Sequence, residues 1–349
     1  MDPHADGVKT EASAQRGWLR SAAGYAVGAV CLAWVLHDVH FGRMLGDFGA
    51  VNWWWVGPAV LADVASYVCQ GIRWELLLRS VGNLSPVYAT EAIYAGLFTS
   101  EVLPMRPGEL VRAYLVSRRL AVDFLRVIPS IAVERLFDGV WLALAFGLTA
   151  IFVPLPKDLV EAGDVLGGVV LVGTALFVYA VLRRRKSATP GEAPRTRSGP
   201  MRLVASFFSH LVSELQAIGF SHNLHVSFLW SFLVLFFQAL AFWLVMLAYG
   251  IRESFWVGAA VLLIVHLGTA IPNAPANVGT FQFFCVVALR IFGVEKTLAS
   301  GFSVVVFVIL TAPLWAIGLW AIGRSGTTLA AIRGEIRRLL ARAQAPPLA

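Results

Sequence analysis

The sequence is poor in charged residues, which argues against an ordinary soluble domain, and poor in cysteine, which argues against a disulfide framework. Only 14% of its 349 residues are charged, whereas 58% are hydrophobic and the mean hydropathy is +0.72. A soluble domain of this length could not bury so much apolar side chain, so a lipid bilayer must be part of its solvent. Cys31, Cys69 and Cys285 lie in apolar stretches without a CxxC pair, which favours buried thiols over disulfides or a metal site.

Lysine is also scarce, so arginine supplies most of the basic residues behind the formal net charge of +7. These arginines cluster beside apolar stretches and do not form a soluble basic domain. We therefore interpret the charge as retention of cytoplasmic loops beside anionic headgroups, and not as nucleic-acid binding. The Arg-, Ala-, Gly- and Val-rich composition is typical of GC-rich bacterial genomes. Together with the apolar composition, it predicts a multi-pass protein of the bacterial cytoplasmic (inner) membrane.

Long apolar stretches predict about six full transmembrane helices. They are residues 18–36, 53–78, 127–153, 165–182, 225–249 and 298–322. Shorter apolar pieces stop at prolines, namely 88–103 before Pro104 and the pair 255–271 and 278–292 around Pro272. The positive-inside rule is satisfied if the first piece enters and leaves from the cytoplasm and the pair enters and leaves from outside. Residues 37–52 then lie on the external side, and full crossing by the second pair stays open.

The fold prediction is therefore an all-α polytopic membrane protein with two re-entrant hairpins. Span, hairpin and span occur twice with opposite orientation, over residues 53–153 and 225–322. This order predicts an inverted-topology repeat, the plan of many secondary transporters. Residue-level similarity between the halves is limited to Leu103-Pro104 and Ile271-Pro272, each with a second proline three residues later.

The flanking segments predict a simple domain organisation. Residues 1–17 are expected to be a cytoplasmic N-terminal tail, 18–322 the transmembrane domain and 323–349 a basic cytoplasmic C-terminal tail. Within the domain, the Arg- and Pro-rich stretch 183–202 predicts a cytoplasmic loop. The amphipathic stretch 203–220 predicts a helix at the membrane interface.

Both proline breaks are candidate functional positions. Non-helical backbone at membrane depth is tolerated only where protein or a water-filled cavity surrounds it. Each break also opens a new helix, whose free N–H groups and dipole favour an anion. Glu109 and Arg112 lie three residues apart on one face of the helix that follows the first break.

Four motifs together resemble the transmembrane domain of the lysylphosphatidylglycerol synthetase/flippase family, over roughly residues 18–322. They are Pro104-x-Arg106-x-Gly108-Glu109-x-x-Arg112, Glu134-Arg135-Leu136-x-Asp138, Arg73-Trp74 and Pro272-x-x-Pro275-Ala276-x-x-Gly279-Thr280-Phe281. The resemblance implies a stand-alone flippase unit that moves a phospholipid, or another lipid with an anionic headgroup, between leaflets. Ala276 and Gln282 depart from the commonest family pattern of Gly and Glu, so a protonatable glutamate is not expected in this hairpin.

Each candidate residue near the first break has a structural alternative. Arg106 and Arg112 either bind lipid phosphate, which the guanidinium fork matches, or are ordinary loop charges. Glu109 orients Arg112, carries a proton, or only interacts with the helix dipole.

The remaining candidates are also open to two interpretations. Glu134 and Asp138, one turn apart, either form structural ion pairs with Arg73 or Arg112 or take part in the substrate or proton path. The polar residues of the second break either cap a broken helix or line a path for the headgroup. They are Asn273, Asn277, Thr280 and Gln282. Asp63, in the middle of a predicted span, is the most isolated carboxylate and has no obvious partner in the sequence.

No P-loop, paired metal-ligand motif or nucleophile elbow is visible, so we predict no cofactor, no metal and no enzymatic activity. Membrane lipids are the predicted partners, transport is expected to be ion-driven or downhill, and homo-oligomerisation stays open. One alternative is an integral membrane transferase acting on a lipid-linked sugar or prenyl phosphate, with a metal at Glu101, Glu109, Glu134 and Asp138. Another is a non-transporting scaffold of a lipid or hopanoid pathway.

Overall fold

The computed structural model describes residues 24–37, 39–103, 107–184, 222–270, 275–326 and 334, and every regular element within these ranges is helical. The helices are α1 (Gly24–Leu36), α2 (Phe41–Gly49), α3 (Trp53–Leu78), α4 (Pro86–Val102), α5 (Gly108–Leu120), α6 (Phe124–Phe152), α7 (Lys157–Arg184), α8 (His222–Ala248), α9 (Phe255–Thr269), α10 (Thr280–Ile291) and α11 (Lys296–Arg324). A 3-10 turn, Pro275–Asn277, precedes α10. The all-α prediction is confirmed for the described part of the chain.

Two helix starts follow local capping chemistry. The Asp123 side chain accepts a hydrogen bond from the Leu125 N–H at 3.0 Å and begins α6. The Ser254 hydroxyl accepts one from the Val257 N–H at 3.3 Å and begins α9. Each cap satisfies an amide that the first helical turn leaves without an intrahelical partner.

Both predicted breaks interrupt the helices. The first separates α4 from α5, and the second separates α9 from α10. At the second break Ala276, Asn277 and Gly279 have φ angles of 56°, 52° and 90°. Left-handed φ is unfavourable for an alanine, so this backbone conformation has a cost that the surrounding packing must offset. A side chain at Gly279 would also overlap the carbonyl of Gly28.

One helix lies in the short segment for which the sequence predicts only an external location. Within residues 37–52 the structure places α2, which is bent by 92° from α1. Met44 on α2 is buried, and Phe48 packs against Tyr249 at 6.3 Å between ring centroids. Apolar residues four positions apart give this segment one packing face, which stabilises a short helix.

Among the described residues, four helices have the length and apolar composition of a membrane span. They are Phe124–Phe152, Leu159–Leu176 within α7, His222–Ala248 and Lys296–Arg324. The count becomes five if α1 and α2 are one broken span. Helix α3 has 26 residues but is not among them, since polar residues such as Asp63 and Arg73 lower its hydropathy. Helices α9 and α10 have 15 and 12 residues, fewer than the ~20 of a full span.

The chain divides into two compact units, which we call the first and the second unit. The first comprises Met1–Leu61, Phe98–Pro107 and Ala239–Pro313, and the second Ala62–Leu97, Gly108–Gln238 and Leu314–Ala349. In the first unit, the buried rings of Phe242 and Phe302 meet edge to face at 5.5 Å between centroids. In the second, a buried apolar cluster holds helices of three different segments together; its members are Leu77, Val133, Phe137 and Leu224.

Most of the predicted flanking segments lie outside the described residues. This holds for the tail 1–17, for the interfacial helix 203–220 and for the loop 183–202 beyond the end of α7 at Arg184. The tail 323–349 begins inside α11, and past that helix only residues 325, 326 and 334 are described.

Candidate functional site

Arg73 on α3 is the centre of a buried ionic network in the second unit. Its Nη2 lies 2.6 Å from Oε1 of Glu134 on α6. Its Nη1 pairs with Asp138, one turn further along α6, and donates a hydrogen bond to the Ser231 hydroxyl on α8 at 3.0 Å. Arg73 is 0% exposed, so its charge is stabilised by these partners and not by water.

Arg112 on α5 shares Glu134 with Arg73. Its Nη1 lies 2.9 Å from Glu134 Oε2 and donates a hydrogen bond to Oε1 at 3.1 Å. The guanidinium carbon stands 4.8 Å from the centroid of the Trp74 ring, and the indole N–H of that tryptophan donates to Ser130 at 2.9 Å. Glu134, fully buried, is thus held between two arginines from two other helices.

The Nε and Nη2 atoms of Arg112 are buried and have no hydrogen-bond partner among the described residues. These two atoms form one edge of the guanidinium, the fork that binds a phosphate or carboxylate through two parallel hydrogen bonds. Buried donors without acceptors are uncommon, and each one needs a physical explanation. An anionic oxygen pair at this edge would satisfy both donors.

Arg135 extends the network towards solvent. Its Nε pairs with Glu109 on α5 at 2.8 Å, and its Nη1 pairs with Asp138 at 3.2 Å. The side chains of Arg135 and Glu109 are about half-exposed, so these contacts are screened by water and each contributes little. We call the six residues the charged cluster; they are Arg73, Glu109, Arg112, Glu134, Arg135 and Asp138.

The charged cluster contains as many arginines as carboxylates, so its formal charge is zero. Its buried part is possible because each charge there faces an opposite one at hydrogen-bonding distance. A close approach of α4 and α5 helps to position Arg112. A side-chain carbon at Gly96 would lie 2.6 Å from the Gly108 carbonyl oxygen and 3.2 Å from Cβ of Arg112, so this contact requires glycine.

The polar residues of the second break belong to the first unit and are engaged mainly with the backbone. Gln282 accepts a hydrogen bond from the Gly279 N–H at 2.7 Å, and the Thr280 hydroxyl donates to the Asn277 carbonyl at 3.0 Å. Both contacts match the capping interpretation of these residues. The side-chain oxygen of Asn277 is buried and has no partner within the described part of the chain.

The structure brings five of the predicted site residues into one network, namely Arg73, Glu109, Arg112, Glu134 and Asp138. The ion pairs considered for Glu134 are both present, since it contacts Arg73 and Arg112. Arg106 and Asn273 lie outside the described residues. Sequence reasoning missed Ser231 and Ser130, because a serine in an apolar helix carries no signal that distinguishes a ligand from a packing residue.

Three of the acidic residues considered for the alternative metal site form ion pairs with arginine. No group of three or more His, Cys, Asp or Glu side chains in the described ranges could hold a metal ion. Glu109, Glu134 and Asp138 each pair with arginine instead. Cation-binding carboxylates would have to give up these partners first.

Residues 21–318 match the protein family described as the lysylphosphatidylglycerol synthase TM region. The chain is 24% identical over 278 residues to a UPF0104 membrane protein of Methanothermobacter thermautotrophicus, covering 75% of this chain and 81% of the relative. It is 28% identical over 190 residues to the glycosyltransferase AglD of Haloferax volcanii. That match covers 47% of this chain but only 30% of AglD. No solved structure matches the chain.

Proposed function

Because the chain belongs to the family of the lysylphosphatidylglycerol synthase TM region, we propose that it is a lipid flippase-like transporter. Its cargo would be a phospholipid, or another lipid with an anionic headgroup, that moves between the two leaflets. The proposed location is the bacterial cytoplasmic membrane, with both termini in the cytoplasm and membrane lipids as partners. The protein itself would catalyse no covalent reaction.

The free edge of Arg112 is the observation that carries this proposal. A lipid phosphate offers the paired anionic oxygens that the buried Nε and Nη2 donors lack. Phosphate at this edge leaves the contact between Arg112 Nη1 and Glu134 in place. Binding therefore does not require the buried network to break.

The zero net charge of the charged cluster suits a transporter, which must release its cargo, better than a site that holds an anion permanently. A surplus of buried positive charge would bind phosphate tightly and release it slowly. Here the carboxylates of Glu134 and Asp138 already neutralise Arg73 and Arg112. The headgroup then binds through hydrogen bonds of about 1.5–3 kcal/mol each, and it can leave towards the opposite leaflet.

The grouping of the two breaks supports the proposed topology of about six spans and two re-entrant hairpins. Phe98–Pro107, which contains the first break, and Ala239–Pro313, which contains the second, belong to the same compact unit. In an inverted repeat the tips of two hairpins are expected to meet near mid-membrane. In this topology α3 is a full span despite its polar residues.

Cysteine accessibility tests the topology directly. Val278 is exposed beside the second break, and Val278→Cys can be labelled in a variant whose three native cysteines have been replaced. We expect labelling by a membrane-impermeant reagent from the external side. Labelling from the cytoplasmic side alone would contradict the external hairpin.

Lipid movement in liposomes tests the function. We would compare fluorescent phosphatidylglycerol with a zwitterionic phosphatidylcholine analogue, with and without a proton gradient, in wild type and Arg112→Ala. The matched control is Arg290→Ala, which removes an exposed arginine of α10. We expect preferential movement of the anionic lipid in wild type and in the control, and its loss in Arg112→Ala.

Two results would contradict the proposal. One is the absence of lipid movement by folded wild-type protein under every gradient, and the other is movement that is equal for both lipids and insensitive to Arg112→Ala. Folding of each variant is checked by size-exclusion chromatography. An intact cellular phenotype in Arg112→Ala would favour the scaffold alternative.

The similarity to AglD is the observation that favours a second candidate, an integral membrane transferase. The aligned region covers only part of that glycosyltransferase, so its named activity does not extend to this chain without a test. Purified protein would be incubated with labelled nucleotide sugars, polyprenyl phosphate and Mg²⁺. A labelled lipid product formed by the folded wild-type protein and absent without Mg²⁺ would favour the transferase over the flippase.

A further inference from the structure

Asp63 on α3 is a buried carboxylate without a counter-ion. It is 4% exposed, and its Oδ2 has no hydrogen-bond partner among the described residues. No arginine, lysine or histidine of the described ranges forms an ion pair with it. The nearby Ser66 hydroxyl donates to the backbone carbonyl of Asp63, at 2.7 Å, and not to its carboxylate.

At a second position of α3, by contrast, the buried charge is paired. Ten residues after Asp63, Arg73 is surrounded by two carboxylates and a hydroxyl. The buried charge of Arg73 is therefore compensated by opposite charges, whereas the Asp63 carboxylate has no counter-ion among the described residues. An isolated ionised carboxylate in an apolar interior is so unfavourable that it takes up a proton or binds a cation instead.

Tyr94 on α4 packs beside the part of α3 that carries Asp63. Tyr94 is 2% exposed, and the hydroxyl oxygen has no hydrogen-bond partner in the described ranges. The ring of Tyr67, on the same helix as Asp63, packs against that of Tyr94 at 5.1 Å. Asp63 lies one helical turn before Tyr67, so two unpartnered polar groups lie on the sides of α3 and α4 that pack together.

A cavity reaches this pair of helices. It has a volume of about 300 Å³, is lined by Val68 and Ile72 of α3 and by Tyr94 of α4, and includes Glu91 one turn before Tyr94. Glu91 is partly exposed and lies 3.6 Å from Arg324. The cavity thus places Glu91 and Tyr94 along one wall.

We propose that Asp63 and Tyr94 form a proton-binding site, distinct from the charged cluster, through which a proton gradient drives transport. In the conformation described here the proton resides on the Asp63 carboxyl as an O–H group. When the carboxyl opens to the other side of the membrane, that proton returns to water and Asp63 becomes a carboxylate. The coupling role rests on the proposed function, whereas the protonation of Asp63 does not.

The chemistry of the site favours a proton over a metal cation. Hard cations take about six or more oxygen ligands, whereas the carboxylate of Asp63 and the phenols of Tyr67 and Tyr94 offer fewer oxygens. The position also suits a proton that crosses the bilayer. Asp63 is about 15 Å along α3 from Trp53, whose exposed indole begins a run of three tryptophans typical of the membrane interface.

Infrared spectroscopy of the purified protein in lipid tests the protonation without any transport. A protonated carboxyl has a carbonyl stretch that is separate from the bands of a carboxylate. We expect this band in wild type at neutral pH and in Asp164→Asn, which removes an exposed carboxylate of α7. We expect its loss in Asp63→Asn and a shift in Tyr94→Phe. Identical spectra in wild type and Asp63→Asn at every pH would overturn the site, and so would loss of the band on addition of sodium ions.

Transport tests the coupling separately. We expect an imposed pH gradient to accelerate lipid movement in wild type and in Asp164→Asn, and to have no effect in Asp63→Asn. Acceleration of Asp63→Asn to the wild-type extent would overturn the coupling. If no variant moves lipid while the Asp63 band is present, the proposed cargo is wrong and the proton site stands.

Discussion

The two polar positions of α3 differ in how the protein stabilises buried charge. At Arg73 the helix meets Glu134, Asp138 and Ser231, so every ionised group has an opposite charge or a hydroxyl. At Asp63 the carboxylate has no cationic partner in the described residues, and the rings of Tyr67 and Tyr94 pack against each other one turn further along. The first arrangement holds permanent charges in place, whereas the second is stable only when the acid is neutral.

Replacing an acidic residue at each position by its neutral amide is expected to give the largest difference, measured as the free energy of unfolding. Glu134→Gln leaves Arg73 and Arg112 without their shared counter-ion and is expected to lower the free energy of unfolding by about 3–5 kcal/mol. Asp63→Asn replaces a protonated acid by a neutral amide of the same shape and is expected to cause no measurable loss. Chemical denaturation of the detergent-solubilised proteins measures both. Equal destabilisation by the two variants would mean that Asp63 is ionised and paired, contrary to our interpretation.

Arg112→Lys sharpens the comparison by keeping the charge and removing the fork. Lysine can still pair with Glu134, but it lacks the planar Nε and Nη2 edge. The lysine ammonium can replace one of the two parallel hydrogen bonds to the headgroup, and losing the other costs about 1.5–3 kcal/mol, which corresponds to roughly tenfold to a hundredfold weaker phosphatidylglycerol binding. Binding of a labelled lipid to the purified variant is the measurement. Full retention of affinity would show that a point charge is sufficient at this position.

Gly96→Ala tests how strongly the position of Arg112 depends on helix packing. The added carbon would lie 2.6 Å from the Gly108 carbonyl oxygen, and overpacking of this kind costs about 1–3 kcal/mol. Gly147→Ala on α6 is the matched control, because the space around it is open. Thermal unfolding compares the two. A change in Gly96→Ala no larger than that in the control would indicate that α4 and α5 can separate freely.

Arg135→Ala is expected to have the smallest effect. Its contacts with Glu109 and Asp138 lie at the half-exposed edge of the charged cluster, where an ion pair contributes about 1 kcal/mol or less. We expect near-normal stability and lipid movement. A loss comparable to that in Glu134→Gln would place Arg135 inside the buried network.

Several features could be predicted because they depend on local chemistry. The bounds of α3 agree with the apolar stretch 53–78, and both proline-containing breaks lie where the sequence indicates them. Asp63, Arg73 and Glu134 could be singled out from the sequence because ionisable side chains are rare in apolar segments. The helix α2 was not predictable from hydropathy, since its stability comes from packing of one face against residues such as Tyr249.

The sequence by itself determined the membrane as the solvent, the helical class and the positions of the breaks, because these follow from hydropathy, backbone hydrogen bonding and proline. Only the tertiary structure decided which charges meet. Glu134 is shared by Arg73 and Arg112, and the Nε and Nη2 edge of Arg112 has no partner in the described residues. Asp63 has no counter-ion in these residues. Pairing of this kind depends on how helices from distant parts of the chain pack and rotate against one another, and the order of residues within one helix does not contain that information.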